Sequence, residues 1–354
     1  MKKKTIGFGV IGCGLVSQFH GKAIHAAQGA QLVAAADMVK DRAVQFTQTY
    51  GGEALDTIDQ LFERDDVDVV NVLTPNAYHE EYVVRAAEAG KHVLVEKPPE
   101  MTLEKVDHMI EAADKAGVKL GVVLQCRFRK AIEAIKGAVE EGRFGRLLHG
   151  DAYMKWYRPT EYYFRDAWRR SRSQGAGVTI QHAFHYLDLL YHLMGPVQSV
   201  WARMTNLAHP DVELEDTVLA LFKYTNGAQG LLQASTALYP GTDIRVEING
   251  ENGTAIMQGE RITTWAFKEE QEDDEAIRKI GSEVIQTAAT GAANFAYFEH
   301  QYLIEDMIRA IREDRSPRVT AQSARGSLEI ALAMYASADS GKEIALPLKG
   351  PVVL

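Results

Sequence analysis

Residues 5–17 read Thr5-Ile6-Gly7-Phe8-Gly9-Val10-Ile11-Gly12-Cys13-Gly14-Leu15-Val16-Ser17. An apolar run that ends in Gly-x-Gly and passes into an amphipathic segment predicts a buried strand, a tight turn and the start of a helix. Glycine at 12 permits the turn. Glycine at 14 lets a pyrophosphate approach the backbone. Cys13, Leu15 and Val16 complete the turn and bring the unpaired N–H groups of the helix start to the same place. The third glycine of the dinucleotide fingerprint is replaced by Ser17, and small-residue turns after strands are common, so the turn decides little by itself. Context strengthens it, because Asp37 ends the second strand 23 residues after Gly14. A carboxylate there accepts hydrogen bonds from ribose hydroxyls and repels a 2′-phosphate. Its neighbours are Ala36 and Met38, with no adjacent arginine. NAD is therefore predicted in preference to NADP; the ordinary alternative for Asp37 is a turn or cap residue.

The same rhythm continues outward. Apolar runs at Thr5–Ile11, Leu32–Ala36, Val67–Leu73, His92–Val95 and Lys119–Leu124 alternate with amphipathic segments near 15–28, 40–50, 77–89 and 102–116. The runs are continuously apolar, as in strands covered on both faces. Gly29, Gly51, Gly90 and Gly117 follow the helical segments, where helices commonly stop. This predicts an α/β fold beginning with a Rossmann doubly wound parallel sheet over residues 1–125. Two more strand ends fall on the edge where open α/β sheets bind ligands: Thr74-Pro75-Asn76 with His79 a turn later, and Glu96-Lys97-Pro98-Pro99. Gln125, after the last strand, joins this candidate cofactor-binding set. The plain alternative for Lys97 is a charged loop residue beside a turn.

The pattern changes after Leu124. A helix near 130–141 ends at Gly142, and longer strands follow near 147–157, 197–207, 213–223, 228–238, 243–249 and 254–258. Hairpin signals stand at Tyr224-Thr225-Asn226-Gly227 and Asn249-Gly250-Glu251-Asn252-Gly253. Residues 126–354 are therefore predicted to be an α+β domain with a large, mainly antiparallel open sheet, closed by helices near 296–313 and 321–340. The acidic stretch Lys268–Glu275 reads as a solvated loop.

Bulk properties narrow the function classes. The 354 residues carry 39 basic and 48 acidic side chains, a formal net charge of −9. No run of Lys or Arg exceeds Lys2-Lys3-Lys4, so a nucleic acid partner is not expected. Lys2-Lys3-Lys4 before an apolar stretch resembles a secretory leader, but the glycines within Ile6–Val16 favour a first strand. No apolar run reaches the roughly 20 residues that span a bilayer, so no membrane partner is expected. The two cysteines, Cys13 and Cys126, suit a reducing cytoplasm.

A helix predicted near 177–194 places Gln181, His185, Asp188 and His192 on one face at spacings of 4, 3 and 4. The positions between are mostly apolar. Exposed faces elsewhere use Lys and Glu; this stripe has none, which favours a site lining over a solvent face. His182, His185 and His192 lack zinc spacing, so no metal is expected. Arg127, Trp168 and Arg169 are candidate substrate contacts: a ring stacks on a sugar face, and arginine binds hydroxyls, carboxylates or phosphates. Trp168 as core and Arg127 as a bridge between the two domains are the alternatives.

The ordered set of motifs resembles the glucose-fructose oxidoreductase / inositol dehydrogenase / rhizopine-catabolism family, Gfo/Idh/MocA, over almost the whole chain. It comprises Gly-Val-Ile-Gly-Cys-Gly at 9–14, Thr-Pro-Asn at 74–76, Glu-Lys-Pro at 96–98, Cys-Arg-Phe at 126–128 and Trp-Arg at 168–169. His-Tyr-Leu-Asp-Leu-Leu at 185–190 and the closing run at 336–342 complete it. The resemblance implies a carbohydrate substrate and a second domain that binds it and whose sheet face makes a homodimer or homotetramer. It also implies catalytic roles for Lys97, beside the reacting hydroxyl, and for His185 as general acid/base. Many relatives carry Asp four residues before the histidine, where this chain has Gln181. A neutral amide holds a substrate hydroxyl but does not raise the basicity of His185 as a carboxylate does.

The function expected is an NAD-dependent dehydrogenase that oxidises a ring hydroxyl of a sugar, glycoside or sugar derivative to a ketone, with C3 suggested by family analogy. Kept beside it are an inositol or sugar-nucleotide dehydrogenase, a glycosidase using NAD transiently, a reductase working in the opposite direction, and a non-catalytic NAD sensor.

Overall fold

The computed structural model describes residues 5–175, 177–282 and 297–352. They form two compact units, residues 5–125 with 297–325, and residues 126–282 with 326–352. The span 126–354 is thus not one body, because residues 297–325 return to the first unit.

In the first unit the run from Thr5 becomes β1 (Ile6–Ile11), buried at every residue. There follow α1 (Ser17–Ala26), β2 (Ala30–Ala36), α2 (Lys40–Tyr50), β3 (Glu53–Ala54), α3 (Asp59–Phe62), β4 (Val69–Val72), α4 (His79–Glu88), β5 (His92–Val95), α5 (Leu103–Ala116) and β6 (Leu120–Val122). The strands pair in parallel in the order β3-β2-β1-β4-β5-β6. This is the doubly wound Rossmann sheet expected from the sequence. The unanticipated β3 and α3 are too short to show a period. The strand ends are level: Ile11 pairs with Ala36 and Val72, Val72 with Val95, and Val95 with Val122. Residues 12, 37, 73 and 96 therefore leave the sheet along one edge.

The second unit contains α6 (Lys130–Glu140), β7 (Leu147–Lys155), α7 (Thr160–Phe164), α8 (Phe184–Met194), β8 (Val197–Thr205), β9 (Thr217–Tyr224), β10 (Gln229–Ser235), β11 (Arg245–Gly250), β12 (Gly253–Gln258), β13 (Arg261–Phe267) and α9 (Asp274–Arg278). After α10 (Phe298–Glu313), a helix of the first unit, come α11 (Ala321–Ser340) and β14 (Ile344–Ala345). Among the described residues the sheet has eight strands, ordered β13-β12-β11-β7-β10-β9-β8-β14. Its pairings are antiparallel except β7 with β10. Asn226-Gly227 turns β9 into β10, and residues 249–253 join β11 to β12, as the hairpin signals indicated.

One face of this sheet is buried and the other open. In β9, Val218, Ala220, Phe222 and Tyr224 are buried while Leu219, Leu221 and Lys223 are exposed. The helix α8 packs on β7, and a glycine makes room for it. A Cβ on Gly150 would lie 2.4 Å from the Met194 side chain at the end of α8.

The acidic stretch Lys268–Glu275 is not simply a solvated loop. Asp274 is fully buried at the start of α9. It accepts hydrogen bonds from Arg143 at 2.7 and 2.8 Å, from Trp265 Nε1 at 2.6 Å and from the Gln271 N–H at 2.9 Å. Those partners hold its carboxyl far below the usual range, the Arg143 hydrogen bond contributing most. Composition misled because the main partner lies 131 residues away in sequence.

Candidate cofactor and substrate sites

The glycine turn is fixed by sterics and by side-chain hydrogen bonds to its backbone. Gly12 has φ +93°, and a Cβ there would lie 2.8 Å from the Leu73 carbonyl oxygen. Only glycine fits. A Cβ on Gly14 would meet no protein atom within 4 Å, so the fold itself does not require glycine at that position. Ser17, the departure from the fingerprint, is buried and its Oγ donates to the Gly14 carbonyl at 2.7 Å. Asp37 grips the turn: its carboxylate accepts from the Cys13 N–H and the Val39 N–H, each at 2.7 Å. Burial, helped by the Asp37 charge, pushes the Cys13 thiol up to about 12, so it stays protonated. Leu15 and Val16 are exposed at the start of α1, and Met38 is 85% exposed.

The other strand ends are bound to one another. His79 is fully buried, with Nδ1 2.9 Å from the Pro98 carbonyl oxygen and Nε2 3.0 Å from that of Thr74. It therefore ties the Thr74-Pro75-Asn76 loop to the Lys97 loop and offers no surface to a ligand. Glu96 is also occupied: Oε1 lies 3.1 Å from His20 Nε2, and Oε2 accepts from the Lys97 N–H at 3.1 Å. Burial is the largest single influence and opposes its ionisation, but the His20 hydrogen bond together with the charges of His20, His300 and Lys97 holds the carboxyl below its usual range. Asn71 Nδ2 lies 3.0 Å from His20 Nδ1, completing a buried chain from β4 through α1 to the backbone of Lys97. His20, Glu96 and His300 bring ligand-type atoms within 4.8 Å of one another, with His300 in α10 edge-on to His20. The sequence reading missed His20 and Asn71. Their only signal was a polar group in an otherwise apolar strand or helix face.

Two residues of the expected cofactor set carry buried oxygens without a hydrogen-bond partner, Thr74 Oγ1 and Gln125 Oε1. Buried polar atoms are normally satisfied. These two oxygens, like the uncrowded backbone at Gly14, are left open to a polar group from outside the chain.

In the second unit the predicted helix begins irregularly. Residues Thr179–Ala183 form a π-helical turn before α8, a feature common at functional sites because the extra residue re-aims side chains. Gln181 and His185 are half-buried, whereas Asp188 is buried. Asp188 accepts from Arg127 Nε at 2.8 Å and Nη2 at 2.6 Å, and from Ser327 Oγ at 2.6 Å. The Arg127 fork is thus engaged in holding α8 inside its own unit, where the alternative expectation was a bridge between the two domains. The start of the segment is held by Glu215, which accepts from the Thr179 N–H at 3.0 Å and Tyr335 Oη at 2.7 Å. Burial raises the Glu215 pKa.

Trp168 and Arg169 come together on a short turn with Tyr162. The Arg169 guanidinium lies 4.5 Å from the Trp168 ring centre and 4.7 Å from that of Tyr162. Its Nε donates to Asp166 at 3.0 Å and its Nη1 to Tyr162 Oη at 2.7 Å. A second arginine, Arg158, lies against Tyr162 and Trp156. The sequence signal for it was the Trp156-Tyr157-Arg158 run, which mixes rings and charge.

Comparison with known proteins agrees with this architecture. Residues 6–124 match the family described as an oxidoreductase family with an NAD-binding Rossmann fold, and residues 132–256 match the GFO/IDH/MocA C-terminal domain. A myo-inositol 2-dehydrogenase of Thermotoga maritima is 30% identical over 272 residues, 75% of this chain and 79% of its own length. An NAD(+)-dependent scyllo-inositol 2-dehydrogenase of Bacillus subtilis is 26% identical over 96% of both chains. The structure of the WlbA dehydrogenase of Bordetella pertussis, in complex with NADH and UDP-GlcNAcA, superposes with a TM-score of 0.90 at 32% identity, covering 99% of this chain and 100% of the other.

Proposed function

The chain belongs to the GFO/IDH/MocA oxidoreductase family, and on that premise we propose that it is a dehydrogenase that oxidises a ring hydroxyl of a sugar, glycoside or sugar derivative to a ketone, C3 being the first position to test. It is an NAD-dependent oxidoreductase acting on CH–OH groups. The relatives act on inositols, and the WlbA dehydrogenase is solved with UDP-GlcNAcA, so the substrate class to test runs from cyclitols to nucleotide sugars.

The observation that carries the reading is the common strand-end edge of the first unit, where the Asp37-gripped glycine turn leaves β1 and the Lys97 loop leaves β5, two parallel strands flanking β4. NAD, when bound, supplies the two-electron acceptor. Gly12, Gly14, Leu15, Val16 and Asp37 are the residues to hold it, with Thr74, Asn76 and Gln125. Lys97 donates a hydrogen bond to the substrate hydroxyl oxygen and stabilises negative charge on it. His185 takes the hydroxyl proton, a general-base task for which imidazole is the commonest side chain. Gln181, a turn before it, hydrogen-bonds a neighbouring hydroxyl without adding charge. The buried chain Asn71–His20–Glu96 fixes the backbone from which Lys97 projects.

The test is NADH formation from NAD and a panel of sugars, glycosides and cyclitols. Lys97→Ala should lower kcat at least about a hundredfold while the affinity for NAD stays within a factor of two. Turnover of none of the panel, or an unaffected Lys97→Ala enzyme, sinks the assignment.

The open sheet face supports a homodimer or homotetramer. Trp201 pairs across strands with Leu221, and Leu221 with Leu231, and the first two are exposed large apolar side chains. Leu221→Lys should shift the mass measured by light scattering toward the monomer. The free cysteines Cys13 and Cys126 suit the cytoplasm.

A further inference from the structure

Four arginines are buried among the described residues, and one of them lacks a carboxylate. Arg127 faces Asp188, Arg129 faces Glu260 and Arg169 faces Asp166. Arg158 is 6% exposed and donates once, from Nη1 to the Tyr157 carbonyl at 2.8 Å. No acidic group of the described residues acts on it. Its company is aromatic: the guanidinium lies 5.1 Å from the Trp156 ring centre and 5.8 Å from that of Tyr162. Ring faces offset only part of the cost of burying a charge. Burial accordingly pushes the guanidinium pKa down from its ordinary value. Most of its five N–H donors face no acceptor of the described residues, and their fork suits two oxygens of one anion.

The rings around Arg158 connect it to the catalytic segment. Tyr162 lies 5.7 Å from His182, and Trp156 lies 6.0 Å from both His182 and Tyr186. His182 and Tyr186 flank His185 in the chain, with Gln181 just before them. A group held at Arg158 would therefore sit beside the helical face proposed to handle the reacting ring.

We propose that Arg158 binds the paired anionic oxygens of the substrate, a sugar carboxylate or the phosphate of a nucleotide sugar, and so selects charged over neutral carbohydrates. The inference rests on the dehydrogenase reading for the identity of the ring, but its test is a binding measurement that does not require turnover.

Binding to the full chain in the presence of NADH is measured by calorimetry with glucose, sodium glucuronate, UDP-glucose and UDP-glucuronate. At least one anion should bind about tenfold or more tighter than glucose, and Arg158→Gln should remove about 10- to 100-fold of that affinity while leaving glucose unchanged. A preference for glucuronate assigns the carboxylate, and one for UDP-glucose assigns the phosphate. Equal binding of all four, no binding of any anion, or an equal loss for all four in the variant overturns the proposal. Should Arg158→Gln fail to show a cooperative melt, Arg158→Lys decides: it keeps the charge but loses the fork, and unchanged anion affinity overturns the assignment. Anion-selective binding without NADH formation from any ligand would leave Arg158 in place and remove the dehydrogenase reading. Turnover of neutral sugars without anion preference would do the reverse.

Discussion

The glycine turn after β1 and the helical segment that carries Gln181 and His185 are held in opposite ways. The turn is built from neighbours: Gly12 on the Leu73 carbonyl, Ser17 on Gly14, and Asp37 on the Cys13 N–H. The helical segment is held by buried charges from distant parts of the sequence. Glu215 and Tyr335 fix its start, and Arg127 and Ser327 fix Asp188 from 61 and 139 residues away. A site assembled by backbone geometry fails through sterics. One assembled by buried ion pairs fails through uncompensated charge, at a larger cost.

The largest test of that contrast is Arg127→Ala. It leaves Asp188 buried without its ion partner and should destabilise the second unit by about 3–5 kcal/mol in urea unfolding. The double variant Arg127→Leu with Asp188→Leu should recover most of this. If the single change costs under about 1 kcal/mol, the buried pair does not hold α8 and the contrast collapses.

Next in size is a pair of changes within the turn. Gly12→Ala forces a Cβ onto the Leu73 carbonyl at positive φ and should cost about 2–3 kcal/mol. Gly14→Ala meets no protein atom and should alter stability by less than about 0.5 kcal/mol while weakening NAD binding by about tenfold or more. Equal thermal stabilities for the two variants would show that the turn is not sterically set.

The first unit also contains a titratable group with no acidic neighbour bonded to it. Burial, and then the neighbouring His20, pull His300 down to about 3. Its folded pKa lies below the unfolded value, so the unfolded chain gains a proton first as pH falls. Stability from this group is complete above about pH 6.5 and declines toward pH 3, by at most about 1.4 kcal/mol per pH unit. Denaturant unfolding at pH 7 and pH 5 should show a smaller loss in His300→Phe than in the parent protein. Parallel losses would mean that His300 takes a proton inside the fold.

The smallest expected effect concerns cofactor choice. Asp37→Ser removes the charge that repels a 2′-phosphate and should narrow the NAD preference over NADP by about tenfold, read as the ratio of kcat/KM values. It also removes an acceptor from the Cys13 N–H, so a small loss of stability should accompany it.

Much of the first unit was legible because its signals are contiguous. Continuous apolar runs followed by glycine-ended helices gave the parallel sheet, and Asp37 with the Gly12 turn gave the cofactor. His79 and Glu96 were expected to face the cofactor, yet both are consumed in tying loops together. Sequence shows that a polar side chain sits at a strand end but not which acceptor it finds. The helix near 177–194 was legible as an amphipathic stripe, but its π-helical turn was not, since one extra hydrogen-bonded residue leaves no periodic trace. Arg143 with Asp274, and Arg127 with Asp188, were hidden for the same reason that the acidic run at 268–275 misled: pairing across 131 or 61 residues is decided by the packed sheet.

The sequence by itself determined the parallel sheet, the glycine turn and the carboxylate at its side, and it nominated Lys97, Gln181 and His185 as candidates by their positions at a strand end and on one helical face. Each of these follows from short-range periodicity or spacing. Only the tertiary structure decided which charges are matched. It committed Arg127 and Arg169 to carboxylates of the chain and left Arg158 among rings, with no carboxylate of the described residues paired to it. Burial is a property of the folded unit, and the free energy of a charge depends on the partners that burial brings within reach.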